Sequence, residues 1–344
     1  MQVENQASRK SSLAVAPRSS LNLADEVQTL LTRLTATDEE FVQSVNVQLR
    51  RSPTVVLFTK DQIADIRTFC SKESNSSLRS VLSFDRTFNL SSLFVTVMVF
   101  RQLKVVRKKT QESPIFVGPL MLHGDGKYET YNHFFSTVNG ALHGCGIDFN
   151  EFRILDSVVT GSDEETALVN AASTVFTSAG QLYCMIHCKD NVRHHLTSVG
   201  MAVGVRETIL SKLFGSNGVA DAHDDIEEEN RTTELLQFVR QQNADVTEYL
   251  QGRVLPKIRS NNMLKWKEPW IGQRQWNNNN CESANHMLKV QVKTINVINY
   301  NFKTHRIILA RIEFLLTTTK ASKRLNDMSI LNKYKQMLPS LLAL

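Results

Sequence analysis

Three carboxylates stand where core elements begin or end. Asp85 follows the apolar run Val81–Phe84. Asp163 lies between a strand-like run and a helix, in Gly161-Ser-Asp-Glu-Glu-Thr-Ala-Leu168, and Glu282 starts a helix behind the polar run Asn277-Asn-Asn-Asn-Cys281. Acids so placed can meet in space although the chain keeps them far apart. Gathered without compensation they would raise one another's pKa, because like charges at a few ångströms oppose ionisation. Divalent cations remove that cost. Two Mg2+ ions held ~3.5–4 Å apart can activate an attacking oxygen and stabilise the leaving one in phosphodiester displacement. Oxygen donors suit Mg2+ or Mn2+, whereas thiolates do not. An aspartate at a strand end is also a common turn residue or helix cap, and composition alone does not single out these three among 34 Asp and Glu.

Other residues carry weaker chemical signals. Cys184 and His187 have the spacing of half a zinc site, with Cys188, His194 and His195 close by. A structural zinc site usually takes four ligands in paired clusters, and no second pair is evident. Cys184 therefore reads as a small hydrophobe inside an apolar strand. His187, at that strand's end, either orients a carboxylate or a phosphate or is simply hydrogen-bonded there. Trp266, Trp270 and Trp276 alternate with Lys265, Lys267 and Arg274. Such a stretch can stack bases and neutralise phosphates, or the rings can pin the loop that precedes Glu282 onto the core.

Hydrophobic spacing predicts the elements that must position these groups. A helix with Leu23, Val27, Leu30, Leu31 and Leu34 on one face spans 21–34, and a short apolar run, 55–58, precedes a capping box at Thr59-Lys-Asp-Gln62. The helix that follows ends near Ser71, and Ser71–Ser80 reads as a linker. Strands follow at 81–84, 93–100 and near 115–117; Leu93–Phe100 is apolar on both faces, as in a strand covered on both sides. Then come a helix at 128–142, a strand at 152–159, a helix at 164–176, a strand at 182–186 and a helix from 190 to 199. Three strands followed by alternating helix and strand predict an α/β or α+β core with helices on the sheet. From 199 to 261 the pattern is helical throughout. One helix there carries Leu235, Leu236, Val239, Val246, Tyr249 and Leu250 on a single face, capped by Asp224 or Asp225, with the acidic run 221–229 as its solvated start. Helices are expected again after Trp276 and from 304 to about 319.

The chain has 344 residues, 42% of them hydrophobic, five cysteines and a formal charge of +6. That length buries a core without disulfides or a metal staple. Five cysteines form no paired framework, which points to a reducing compartment. No apolar run approaches the ~18 residues of a membrane helix, and the polar stretch 1–20 reads as a disordered tail and not as a secretory signal. The charge permits a polyanionic partner without demanding one.

Several blocks together resemble Mutator-like (MULE) transposases. Phe84-Asp-Arg-Thr-Phe-Asn-Leu90 is similar to that family's first-aspartate block, and the Gly-Pro…His stretch before a Tyr-containing helix resembles Gly118-Pro119…His123 and Tyr128–Phe135. Ser162-Asp-Glu-Glu-Thr-Ala-Leu168 is similar to the second block. Cys184-Met-Ile-His187, with Asn191 following, matches the Cys-x-x-His signature, and Asn279-Asn-Cys-Glu-Ser-Ala-Asn285 resembles the block bearing the third acid. The resemblance runs over roughly 58–316, and four blocks in order weigh more than any one of them.

The resemblance implies an α/β, RNase H-like mixed sheet flanked by helices, with an all-helical insertion before the last catalytic helix. Asp85 would lie on the first strand, Asp163 just after the fourth and Glu282 on the late helix, all three as catalytic residues and ligands of two Mg2+ or Mn2+ ions. Cys184, His187 and Asn285 would assist, and Trp266, Trp276, Lys267 and Arg274 would contact nucleic acid. Activity would be DNA cleavage and strand transfer at transposon ends and target, by a homodimer, in the nucleus and with no membrane role. The implied organisation is a tail over 1–20, a helical region over 21–75, the first part of the core over 76–200, the insertion over 201–270, completion of the core over 271–325 and a tail over 326–344.

Two departures bear on that expectation. Glu164 stands where the family commonly has Gly, and no N-terminal zinc module, helix-turn-helix or C-terminal Cys/His-rich motif is evident. The sequence thus also accommodates a domesticated, catalytically silent DNA-binding or regulatory protein. A third reading is a helical adaptor that binds partners through 199–261.

Overall fold

The computed structural model describes Thr32 and residues 41–47, 54–71, 79–90, 93–103, 106–107, 111–144, 158–272 and 274–286. The expected helices at 21–34 (Thr32 apart) and 304–319, both tails, Met287 and Leu288, most of the 71–80 linker and residues 152–157 of one expected strand lie outside them. The described elements are β1 (Val42–Asn46), β2 (Thr54–Leu57), α1 (Lys60–Cys70), β3 (Leu82–Leu90), β4 (Leu93–Arg101), β5 (Ile115–His123), α2 (Tyr128–Gly144), β6 (Val159–Ser162), α3 (Thr166–Val175), β7 (Gly180–Tyr183), α4 (Met185–Ser198), α5 (Val203–Phe214), α6 (Asp225–Arg240), α7 (Ala244–Tyr249), α8 (Leu255–Lys267) and a helix α9 over 279–286. The protein is α/β: seven strands form one mixed sheet in the order β1-β2-β5-β4-β3-β6-β7, flanked by helices. Pairs from β1 to β3 across the sheet are antiparallel; β3–β6 and β6–β7 are parallel.

Alternation along β3 and β4 divides the core. Residues opposite each other in an antiparallel pair share a face. Phe84, opposite Met98, joins the cluster under α1, α2 and α3, with Ile63, Phe134 and Leu168. Asp85, opposite Val97, emerges on the other face, where Val95, Val97, Val99 and Leu120 pack against Cys281 and Ala284 of α9. That double cover is why β4 is apolar on both sides. A third cluster holds the insertion together, joining Met185, Val192 and Leu196 of α4 to α5, α6, α7 and α8.

Local signals set several boundaries as expected. Thr59 and Gln62 form the capping box of α1, and the Gln62 amide also donates to the Val117 and Gly118 carbonyls, tying the helix to β5. Asp224 caps α6 through the Glu227 N–H at 2.8 Å.

Elsewhere the structure departs from the sequence expectations. Two strands, β1 and β2, come from the 21–75 region read as helical, because their short apolar runs gain ladder partners only at the sheet. β3 runs on to Leu90, so Asp85 lies inside a strand and not at its end. β5 continues through Pro119 to His123. Val97 pairs with Leu120 and Val99 with Val117, so Gly118 and Pro119 share one bulge that accommodates the missing proline N–H. The strand expected at 182–186 stops at Tyr183. Cys184 caps α4, and Met185, Cys188, Val192 and Leu196 form its buried helical stripe. Cys184 and His187 are thus at a helix start. The single helix expected around 235–250 is broken at 241–243, where the Asn243 side chain caps α7. The acidic run is not wholly solvated: Glu228 is buried and accepts from Arg259 and Asn262. Among the described residues no helix is long and apolar enough to cross a membrane.

Candidate metal centre

Strand register builds the site. Phe84 pairs with Ser162 across β3 and β6, and Ser162 with Tyr183 across β6 and β7. All three strands run parallel, so the next residue of each, Asp85, Asp163 and Cys184, forms the following row. Past that row α4 begins, and its first turn carries His187. Its Nδ1 lies 3.0 Å from Asp163 Oδ1, and its Nε2 lies 3.7 Å from Oε1 of Glu282 on α9. Asp85 lies close enough to feel the Asp163 and Glu282 charges, so carboxylates from three remote segments form one cluster.

Asn278 holds α9 against that row. It is fully buried; its side-chain amide donates to Asp163 Oδ1 at 3.1 Å and to the Phe84 carbonyl at 3.5 Å, and its backbone N–H donates to Cys184 Sγ at 3.4 Å. Its carbonyl accepts from the Cys281 and Glu282 N–H groups, starting the helix that bears the third acid. Two residues earlier, the Trp276 carbonyl accepts from Met185 N–H at 3.0 Å. The Trp276 ring lies over Gly161, where a Cβ would come within 2.3 Å of it. Asn280 accepts from Arg101, fixing the outer side of the same turn.

Asp85 is held by the Arg86 N–H at 2.8 Å and by the Asn285 amide at 2.6 Å. Burial, and then the nearby Asp163 charge, push its carboxyl from an ordinary 3.8 up to about 7; the Arg86 N–H opposes this, and Glu165 and Glu282 add to it. Glu165 is a further acid that the motif reading does not single out. It accepts from the Tyr131 hydroxyl at 2.7 Å and pairs with Arg86 at 3.0 Å, so its charge is compensated from behind. Gly126 makes room for that guanidinium, since a Cβ there would meet it at 2.1 Å. Burial also raises the Cys184 thiol, partly offset by backbone N–H donors.

These residues fit a cation. Three acids cluster, and three buried polar atoms of the residues around them, Asn278 Oδ1, Asn285 Oδ1 and His187 Nδ1, have no hydrogen-bond partner among the described residues. Asp163, Cys184 and His187 each present a ligand atom within 4.8 Å of the other two. Oxygen donors from Asp85, Asp163 and Glu282 suit a hard divalent ion; the identity of the ion is a separate question.

The remaining sequence candidates lie as follows. Asn285 is beside Asp85, and Cys184 and His187 border the pocket. Trp276 is packed under the 276–279 turn. Trp266 is half-buried on α8, with its N–H donating to the Ala222 carbonyl and Arg259 over its ring. Lys267 and Arg274 are exposed. Glu164 accepts from Lys257 at 2.8 Å and Asn191 at 2.9 Å, clamping the insertion to the loop that carries Asp163. No local pattern in the polar run distinguishes Asn278 from Asn277 or Asn279; only its burial does.

Compared with known protein families and with curated proteins, the chain matches no family model and no curated sequence.

Proposed function

We propose that this chain is a metal-dependent DNA-processing enzyme of the DDE type, cleaving phosphodiester bonds and transferring strands, as its resemblance to Mutator-like transposases implies. The observation that carries the reading is the convergence of Asp85, Asp163 and Glu282 on one pocket from segments far apart in the sequence. The order of elements supports it. Counted from β3, three antiparallel strands are followed by helix, strand, helix and strand, then by a helical insertion and the helix of Glu282, an order compatible with the RNase H-like core that the resemblance implies.

Asp85, Asp163 and Glu282 would hold two Mg2+ or Mn2+ ions, which supply activation of the attacking oxygen and neutralisation of the leaving one. The chain's own residues prepare the site. Asn285 and the Arg86 N–H fix both oxygens of Asp85, so its lone pairs keep one orientation. Asn278 orients Asp163 from behind and places the first turn of α9. Glu282, half exposed, closes the solvent side. A cation beside Asp85 would favour its ionised form, so cation and carboxylate would stabilise each other there. Water or a 3′-hydroxyl serves as nucleophile, and no protein nucleophile is needed. The formal charge of +6 supports salt-sensitive DNA binding, and pairing two DNA ends calls for a dimer.

Mn2+ titration by calorimetry, with cleavage of labelled terminal-repeat DNA, tests this. Binding and cleavage should both vanish in Asp85→Ala and Glu282→Ala. Cleavage that persists in either variant would overturn the assignment. DNA binding without Mn2+ uptake or cleavage would instead identify a silent, DNA-binding derivative.

A further inference from the structure

We infer that Asp163, Cys184 and His187 form a thiophilic cation site that takes one Zn2+, or Co2+ in its place, and that filling it disables the hard-ion pocket because Asp163 belongs to both. Only the second half of this rests on the proposed function.

The site follows from strand register and helix spacing. Asp163 and Cys184 leave the ends of adjacent parallel strands side by side, after the Ser162–Tyr183 pair. Cys184 caps α4 and His187 is three residues on, a spacing that puts both side chains on one side of the first turn. One oxygen, one sulfur and one nitrogen thus face a common point, each within 4.8 Å of the others. Ligands of one tetrahedral zinc, at ~2.0–2.3 Å from the ion, lie roughly 3.5 Å apart.

A second observation fits a set of cation ligands. His187 Nδ1 lies 3.0 Å from Asp163 Oδ1, yet the pair does not meet hydrogen-bond geometry, and Nδ1 is a buried polar atom without such a partner among the described residues. A ring nitrogen and a carboxylate oxygen brought this close suit two ligands of one cation. The other ring nitrogen faces Glu282 at 3.7 Å, as in metal sites where a carboxylate orients the imidazole from its far side. The Asn278 N–H and the start of α4 both face the sulfur and offset in part the burial that raises its thiol. Cys188, one turn on, interacts with Glu164 instead. Among the described residues that leaves three protein ligands, with His187 and Asp163 partly exposed, 38% and 25%.

Donor chemistry sets the ion. Mg2+ takes oxygen ligands in octahedral geometry, whereas a mixed sulfur, nitrogen and oxygen set selects Zn2+. An Asp163 carboxylate engaged with Zn2+ is lost to the Asp85 side of the pocket. Zinc should therefore suppress Mn2+-dependent chemistry at concentrations far below those of Mn2+.

The test uses the metal-free full chain titrated with Co2+, read by absorption. The expected result is one equivalent bound, with a sulfur-to-cobalt charge-transfer band and the strong visible absorption of a four-coordinate ion. Zn2+ should displace it and a hundredfold excess of Mg2+ should not. Cys184→Ser, which keeps size and polarity, should abolish the charge-transfer band. His187→Ala, at a partly exposed position, should weaken binding at least tenfold, and Asp85→Asn should leave the band unchanged. A missing band, or one that survives both Cys184→Ser and His187→Ala with their circular dichroism intact, overturns the site. Because the readout needs no DNA, a failure of DNA cleavage would sink the proposed function and leave this result standing.

Discussion

Replacing Asp85 by Asn should stabilise the metal-free protein while abolishing cation uptake. The Asp85 carboxyl titrates near 7 in the folded protein against an ordinary 3.8, chiefly through burial and the neighbouring Asp163 charge. The folded state thus holds a proton that the unfolded chain has already released between pH 4 and 7. Stability falls across that window as pH rises, and the full penalty applies above pH 7. At about 1.4 kcal/mol per pH unit the ceiling is roughly 4 kcal/mol, and residual solvent contact reduces the expectation to about 2–4 kcal/mol. Asn is isosteric with Asp, and its carbonyl can still accept from the Arg86 N–H. Its amide can donate to Asn285 Oδ1, which has no hydrogen-bond partner at present, after one amide flip. Urea unfolding in EDTA, from pH 4 to 8.5, is the assay. The variant should match the native protein at pH 4 and exceed it by about 2–4 kcal/mol above pH 7. Saturating Mn2+, at 100 times its dissociation constant, should return about 2.7 kcal/mol to the native protein and nothing to the variant. A variant less stable than the native protein at pH 8, or a difference that does not change with pH, would refute the electrostatic account of the pocket.

Gly161→Ala should push the Trp276 ring away, because the new Cβ has nowhere to go. Unfolding should be easier by about 1–3 kcal/mol, and Mn2+ affinity should drop as the 276–279 turn shifts; denaturation and calorimetry measure the two. Glu164→Gln and Lys257→Met should each loosen the insertion, and their double mutant should cost less than the two single changes together, giving a coupling energy of at least about 0.5 kcal/mol in a thermodynamic cycle. His123 is buried, hydrogen-bonded to Thr96 and held down to about 4, mainly by burial. Since the unfolded histidine takes its proton near 6.5, stability should be lost as pH falls from about 6.5 to 4, and NMR should show the His123 ring neutral at pH 5.5.

Much of the fold is legible in local pattern because its causes are local. The Thr59–Gln62 box predicts the start of α1, since both hydrogen bonds close within four residues. The apolar face of 128–142 predicts α2, and the two-sided apolar run 93–100 predicts a strand covered on both faces. Where causes are distant, pattern misleads. The run 182–186 reads as a strand because it is apolar. From Met185 on it is helical because the ladder with β6 ends at Tyr183 and a 3.6-residue stripe then faces the insertion. Asp85 reads as a strand end because the apolar run stops before it, yet β4 pairs with β3 well beyond it.

The candidate site divides along the same line. The residue types at Asp85, Asp163, Glu282, Cys184 and His187 are visible in the chain as motif blocks, because an amino acid's donor atoms are a property of its own side chain. Which donors face one another was decided by tertiary structure alone. The row Asp85, Asp163, Cys184 exists because β3, β6 and β7 pair in parallel in one particular register, and a shift of one residue would turn every side chain to the opposite face. Asn278 has the same composition as its neighbours, and only its burial between Asp163, Phe84 and Cys184 makes it the link that brings Glu282 to the other acids.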